Sequence, residues 1–296
     1  MKKRVISGAV YTAILVGFFC LKVFVHTLFF DALIYTFAVL GTWEILRAFK
    51  DKTTKAQRVI VMAFAVLCIP VCALTEEYLS QGLLYTCVCL FALIAATVSS
   101  LVFDHERTSV ESVGVSLFAA IYPTLLLCLL TLANHAPAIG ELQTVAFDSN
   151  LLILFIFVVS PLADVFAFLF GISLKKVFPK KLAPKLSPNK TVVGFIGGLV
   201  GGLIAACGLY FAYGALFGSF DNMGLWLPVY LAMGLLVAAA TAFGDLVESC
   251  IKRKVGIKDM GNIMPGHGGV LDRIDGVLLA SMVIYLAYSI VSIALA

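Results

Sequence analysis

Asp272 and Asp275 stand three residues apart in an otherwise apolar run, Val270-Leu271-Asp272-Arg273-Ile274-Asp275-Gly276-Val277. On a helix that spacing puts both carboxylates on one face, a few ångströms from each other, where two anions repel unless a cation sits between them. Oxygen donors with no Cys and no well-placed His pair beside them select a hard ion such as Mg²⁺. That ion keeps one or two carboxylates and completes its shell with water and substrate phosphate. Asp245, followed one turn later by Glu248 and Ser249, closes the preceding apolar run and could join the same site. The competing reading pairs Asp272 with Arg273 or with the lysines of the intervening loop.

Directly before this pair runs Pro265-Gly266-His267-Gly268-Gly269, a pliant backbone leading into a helix start, where exposed N–H groups and the helix dipole favour phosphate. Lys252, Arg253, Lys254 and Lys258 supply cationic partners for a polyphosphate, so the region outlines a nucleoside triphosphate or pyrophosphate site. A second basic segment, Lys185-Leu186-Ser187-Pro188-Asn189-Lys190-Thr191, opens another helix with hydroxyls and an amine placed to hold a second phosphate. Its alternative is a loop resting on anionic lipid heads. Asp164, in Ser160-Pro161-Leu162-Ala163-Asp164, stands open between a site residue and a buried helix-packing partner. Glu44 lies one turn from Arg47, and an interfacial ion pair accounts for it, so Glu44→Gln is expected to have little effect. Gly194, Gly197, Gly198, Gly201 and Gly202 form a small-residue stripe that reads as close helix packing.

The elements that must position these groups follow from composition. Of 296 residues 61% are hydrophobic and 13% charged, and the mean hydropathy is +1.05. A soluble enzyme, a nucleic-acid-binding module and a disordered protein are excluded, because a soluble domain needs roughly a quarter of its residues charged. The apolar residues fall into nine stretches, at about 5–25, 28–47, 58–75, 81–103, 113–133, 150–171, 192–214, 226–247 and 270–295. Each is long enough to span a bilayer as a helix. The expected fold is therefore an all-α integral membrane protein, one polytopic domain over 1–296. Helices without motifs fill about 1–133, and the motif-bearing helices and loops fill about 150–296.

Basic residues set its orientation. With nine spans, all of the 21 Lys and Arg except Lys22 fall on the side of the N-terminus, which is thereby cytoplasmic, with the C-terminus external. The opposite loops hold Glu76, Glu77, Glu141, Asp148 and Asp221 and no Lys or Arg, so anion chemistry belongs to the cytoplasmic face. The longest loops there are about 172–191 and 248–269. Seven of the eight cysteines lie inside apolar runs and read as small hydrophobes. Met1-Lys2-Lys3-Arg4 opens an uncleaved first helix, since no small-residue cleavage site closes it.

Read as a unit, Ser249-Cys250-Ile251-Lys252-Arg253, four residues, Lys258-Asp259-Met260-Gly261, then Pro265 through Asp275 closely resembles the signature of the phosphatidate cytidylyltransferases, also called CDP-diacylglycerol synthases. Every fixed position of that pattern is filled over 27 residues. Ser187-Pro188-Asn189-Lys190-Thr191-Val192-Val193-Gly194 is similar to the family's second motif, with Asn189 in place of a lysine. The resemblance implies an enzyme that joins CTP to phosphatidic acid, giving CDP-diacylglycerol and pyrophosphate. It implies metal carboxylates at Asp245, Asp272 and Asp275, a required Mg²⁺, room for a monovalent cation such as K⁺, and a homodimer. On this reading Lys252, Arg253 and Lys258 screen the triphosphate, and Gly268 and Gly269 let the backbone approach it. His267 acts electrostatically or orients the loop, and Ser249, Asp259 and Arg273 complete the nucleotide set. Ser187, Lys190 and Thr191 hold the lipid phosphate at bilayer depth.

A CTP-dependent polyprenol kinase is the nearest rival and would lack the full string of motifs. A secondary transporter fits the hydropathy, yet it leaves unexplained why polar residues gather at one membrane face rather than the midplane. No nucleic acid is expected as a partner. A reporter fused after Lys180 or after Lys254 should lie on the cytoplasmic side, and one after Ala296 on the opposite side. Labelling of a Lys254 fusion from outside intact cells would overturn this topology.

Overall fold

Helices are the only open structure that satisfies every backbone N–H and C=O without water, so long apolar stretches become helices. The computed structural model describes residues 2–139, 147–217, 223–264, 266 and 268–295. Among these, nine helices are long and apolar enough to cross a membrane. They are α1 (Lys2–Phe24), α2 (Leu28–Ala48), α3 (Lys55–Leu79), α4 (Gly82–Phe103) and α5 (Val110–Asn134). Then follow α6 (Ser149–Leu174), α7 (Val192–Phe217), α8 (Met223–Val255) and α9 (Leu271–Leu295). Two strands, β1 (Lys181–Ala183) and β2 (Ser187–Thr191), pair antiparallel in the basic segment between α6 and α7.

Local chemistry sets the ends. Thr54 and Ser109 cap α3 and α5 with capping boxes completed by Gln57 and Ser112. The buried Gln57 amide then donates to Ser112 Oγ at 3.0 Å, tying the starts of α3 and α5 together. A π-turn at Ile121–Leu125 holds Pro123, and a second at Phe155–Val159 precedes Pro161; a proline removes a helical hydrogen bond that a wider turn re-accommodates. Helix α8 corrects the expected boundary at 247, because it runs eight residues further, through Glu248, Ser249, Lys252 and Arg253. Those residues pair along the helix, Ser249 Oγ to Asp245 Oδ1 at 3.3 Å and Lys252 Nζ to Glu248 Oε2 at 2.9 Å. Gly256, at φ +79°, is the first residue whose conformation breaks the helix.

The chain divides into two compact units, residues 1–135 with 254–274, and residues 136–253 with 275–296. In the first, Phe30, Ile34 and Ile45 of α2 join Val61, Cys68, Ile69 and Cys72 of α3 and Leu127, Cys128 and Leu130 of α5 in a buried core. The thiols pack as small apolar groups, with Cys68 Sγ 3.4 Å from Cys128 Sγ. In the second, the glycine stripe does what its spacing suggests. A Cβ on Gly197 would strike Phe170, and one on Gly202 would stand 2.7 Å from the Gly234 carbonyl of α8. Phe147, Phe155 and Tyr210 set their rings, tilted or edge-on, against the fully buried Tyr230.

The first unit also carries a buried polar cluster remote in sequence from the motifs. His135, just past the end of α5, places Nε2 2.7 Å from Asp31 Oδ2 and Nδ1 2.8 Å from Glu77 Oε2. Asn134 donates to Asp31 Oδ1 at 3.0 Å, and Lys22 Nζ donates to the Asn134 carbonyl at 3.2 Å. Burial alone would lower the imidazole's affinity for a proton. Its hydrogen bond to Asp31, the Asp31 charge and then Glu77 together outweigh burial and hold the His135 pKa above 6.5. A group whose pKa is raised by folding stabilises fully below its unfolded value and loses that contribution as pH rises through the native value. Thermal unfolding of the purified protein should therefore show a midpoint that falls as pH rises from about 6.5. His135→Gln should flatten that slope; an unchanged slope would remove His135 as its source.

Candidate active site

The hairpin between α6 and α7 is fixed by its register, Lys181 opposite Thr191 and Ala183 opposite Ser187. Thr191 closes it by capping α7, its Oγ1 accepting the Gly194 N–H at 3.0 Å. Beside the hairpin opens a cleft of about 560 Å³. Its polar wall is Asp164, Lys175, Lys181, Asn189, Lys190, Thr191 and Asp245, and Phe168, Ile172 and Phe195 form its apolar wall. Lys190 pairs with Asp245. Asp164 is exposed on α6 and lines this cleft, so it is not a buried packing residue. Lys175 and Lys181 were not singled out from the sequence. Lys175 reaches the cleft from the end of α6 and Lys181 from the hairpin, and Ser187 lies outside the lining.

Where α8 meets α9 the backbones touch. A Cβ on Gly244 would collide with the Asp275 carbonyl oxygen, and one on Gly276 would stand 2.7 Å from Thr241 Cγ2. That approach sets Asp275 electrostatically against Asp245 and within a hydrogen bond of Glu248. Glu248 is 1% exposed and bound by Lys252. Three carboxylates, Asp245, Glu248 and Asp275, thus stand beside two ammonium groups, Lys190 and Lys252, and the hydrogen bond between Asp275 and Glu248 needs a proton on one of the two acids. Among the described residues no group of three or more His, Cys, Asp or Glu is arranged to hold a metal ion unaided. Asp245 and Asp275 fit the lesser requirement of Mg²⁺, which takes one or two carboxylates and fills its shell with water and phosphate oxygens.

Asp272 is employed differently. Its Oδ2 accepts the N–H of Met260 at 2.9 Å and of Gly269 at 2.8 Å, so the carboxylate organises the loop before α9. Gly268, at φ +89°, lies against that same oxygen, which a Cβ would approach to 2.7 Å. The loop folds back on itself, Met264 N–H donating to Gly268 C=O at 2.9 Å. Lys258, Asp259 and Arg273 are exposed around it, and Arg253 is exposed on α8. Pro265 and His267 lie outside the described residues.

Glu44 corrects the sequence reading outright. It is fully buried, with Oε1 accepting the Val270 N–H at 3.0 Å and Oε2 the Leu271 N–H at 2.8 Å. Arg47, its expected partner, instead lies over the Trp43 ring at 5.5 Å. The first N–H groups of a helix have no partner within it, and a buried anion needs donors, so the start of α9 satisfies both requirements at once.

Compared with known proteins, residues 2–291 match the model of the Cytidylyltransferase family. A Bacillus subtilis (strain 168) protein named phosphatidate cytidylyltransferase is 30% identical over 295 residues, 99% of each chain. A protein of that name from Staphylococcus aureus (strain COL) is 44% identical over 123 residues, 42% of this chain and 43% of the relative. Another from Staphylococcus saprophyticus is 40% identical over 148 residues, 50% of this chain and 53% of the relative. The matches to the staphylococcal relatives thus span about half of their length or less.

Proposed function

The chain belongs to the cytidylyltransferase family, and from that premise we propose that it transfers the cytidylyl group of CTP to phosphatidic acid, giving CDP-diacylglycerol and pyrophosphate. The observation that carries this reading is the cleft beside the hairpin. Lysines and aspartates form one wall and Phe168, Ile172 and Phe195 the other, inside helices apolar enough to span a membrane. A phosphate that remains attached to acyl chains needs both walls. The printed name of the Bacillus relative supports the same substrates.

In the proposed reaction an oxygen of the lipid phosphate monoester attacks the α-phosphorus of CTP, and the bond to the bridging oxygen breaks as pyrophosphate leaves. Both reactants are polyanions, so catalysis is chiefly neutralisation and alignment. Lys175, Lys181 and Lys190 hold the lipid phosphate, with Ser187 and Thr191 shaping the hairpin that presents them. Lys252, Arg253, Lys258 and Arg273 face the triphosphate, and the loop around Gly268 and Gly269 admits it close to the backbone, with His267 in the same loop. Asp245 and Asp275 would hold Mg²⁺, with Asp272 ordering the adjoining loop. The ion would neutralise phosphate oxygens and the leaving pyrophosphate. The proposal puts this chemistry on the cytoplasmic face and takes a homodimer, and K⁺ beside Mg²⁺, from the family resemblance.

Purified protein in detergent, given Mg²⁺, phosphatidic acid and CTP labelled at either phosphate, should move the α-label into lipid and release pyrophosphate in equal amount. Transfer of γ-label to an added polyprenol would mark a kinase instead, and CTP consumption independent of lipid would end the reading.

Asp275→Asn and Asp272→Asn should each lower turnover by roughly a hundredfold or more while thermal unfolding stays near wild type, because the amide keeps shape and deletes charge. Near-normal turnover of both at limiting Mg²⁺ would make these residues structural.

A further inference from the structure

Helix α2 lies far from every motif in sequence, yet one of its carboxylates reaches the loop on which the proposed nucleotide chemistry depends. Glu44 is separated from Val270 and Leu271 by more than 200 residues and accepts both of their N–H groups. The contact leaves no slack. A Cβ on Gly261 or on Gly269 would collide with the Glu44 carboxylate, so the loop can close over this acid only because both positions lack a side chain. Gly41, one turn earlier on α2, seats the same helix start, its Cβ direction 3.4 Å from Leu271 Cδ1. With Asp272 binding the N–H groups of Met260 and Gly269, two carboxylates fix four main-chain donors at the two ends of the segment 260–271.

We propose that Glu44 is a positioning residue for nucleotide binding, holding the 260–271 loop and the first turn of α9 in the conformation that receives the triphosphate. This rests on the reading of the preceding subsection. A hydroxyl or amide cap would have satisfied an ordinary helix start. A carboxylate presents two acceptor oxygens, and both are occupied, so Glu44 sets the direction of two consecutive N–H groups as well as their satisfaction. Glutamine keeps the volume and one acceptor and turns its NH₂ toward the other N–H. That N–H is then opposed by a donor, and the loop must shift to relieve it. Loss of the position is expected to be felt by CTP, whose proposed contacts lie within the loop at Gly268 and beside it at Lys258 and Arg273. Phosphatidic acid, whose proposed contacts are Lys175 and the hairpin lysines, should not register it.

The test is equilibrium binding of CTP with Mg²⁺ to purified protein without lipid, together with separate KM values for CTP and phosphatidic acid. Glu44→Gln should weaken CTP binding and raise the CTP KM by roughly tenfold, leaving the phosphatidic acid KM unchanged. Glu44→Asp, which retains the charge one methylene short, should fall between wild type and Glu44→Gln. A general loss of folding would instead lower the active fraction and leave both KM values alone. Should Glu44→Gln fail to fold, Gly261→Ala, whose added Cβ would strike the Glu44 carboxylate, carries the test from the loop side and should give the same split. Wild-type affinity for CTP in these variants, or equal shifts in both KM values, overturns the positioning role. If wild-type protein itself binds no CTP, the nucleotide reading fails, and this inference with it.

Discussion

A carboxylate among apolar helices persists only where donors or cations meet it, and in this chain that requirement decides where elements start and join. Glu44 meets the first N–H groups of α9, and Asp272 meets the loop that leads there. Asp245 meets Lys190 from the end of the hairpin, and Glu248 meets Lys252 one turn along α8. Asp31 meets His135 at the end of α5. Apolar packing brings the helices together without choosing a register, because lipid is as apolar as the side chains. The acids choose it, each having one set of partners within reach.

The glycines serve the same end. Where α8 and α9 cross, Gly244 and Gly276 remove the side chains that would hold the backbones apart, and Asp275 comes within electrostatic reach of Asp245 as a result. An arrangement that sets like charges together opposes folding unless a cation compensates them. Lys190 and Lys252 do so only in part. The third carboxylate is compensated by a proton shared between Asp275 and Glu248, a place that a cation could take only by displacing it.

The nine spans were legible because apolar length alone specifies a membrane helix, and the packing role of Gly197 and Gly202 was legible from their spacing. The end of α8 was not. Charged residues at 248–254 look like a loop to hydropathy, whereas Glu248 with Lys252 and Asp245 with Ser249 support another two turns of helix. Glu44 was read from its neighbour Arg47, the only partner local sequence offers, because its true partners are distant main-chain groups that leave no trace in side-chain type. The one available signal was indirect: Gly261 and Gly269 are positions where a side chain is forbidden, and something must fill that space. Asp164, flagged by its cost inside an apolar helix, could be placed only once the hairpin register brought Lys181 and Thr191 together beside it.

The pair Asp272 and Asp275 looks in sequence like two copies of one device, and the helix does put both on one face. Their surroundings separate them. Asp272 falls in the first turn of α9, where the chain has just left a loop full of unsatisfied N–H groups, and its oxygen is taken by two of them. Asp275 stands one turn further in, where its Oδ1 accepts a single main-chain N–H, that of Gly276 at 2.8 Å, and the groups across from it are Asp245 and Glu248 of α8. A carboxylate already engaged by two donors is a weaker ligand than one facing other anions, because its charge is partly compensated. The two acids therefore divide the work by depth along the helix. The outer one organises the loop, and the inner one stands against the carboxylates of α8.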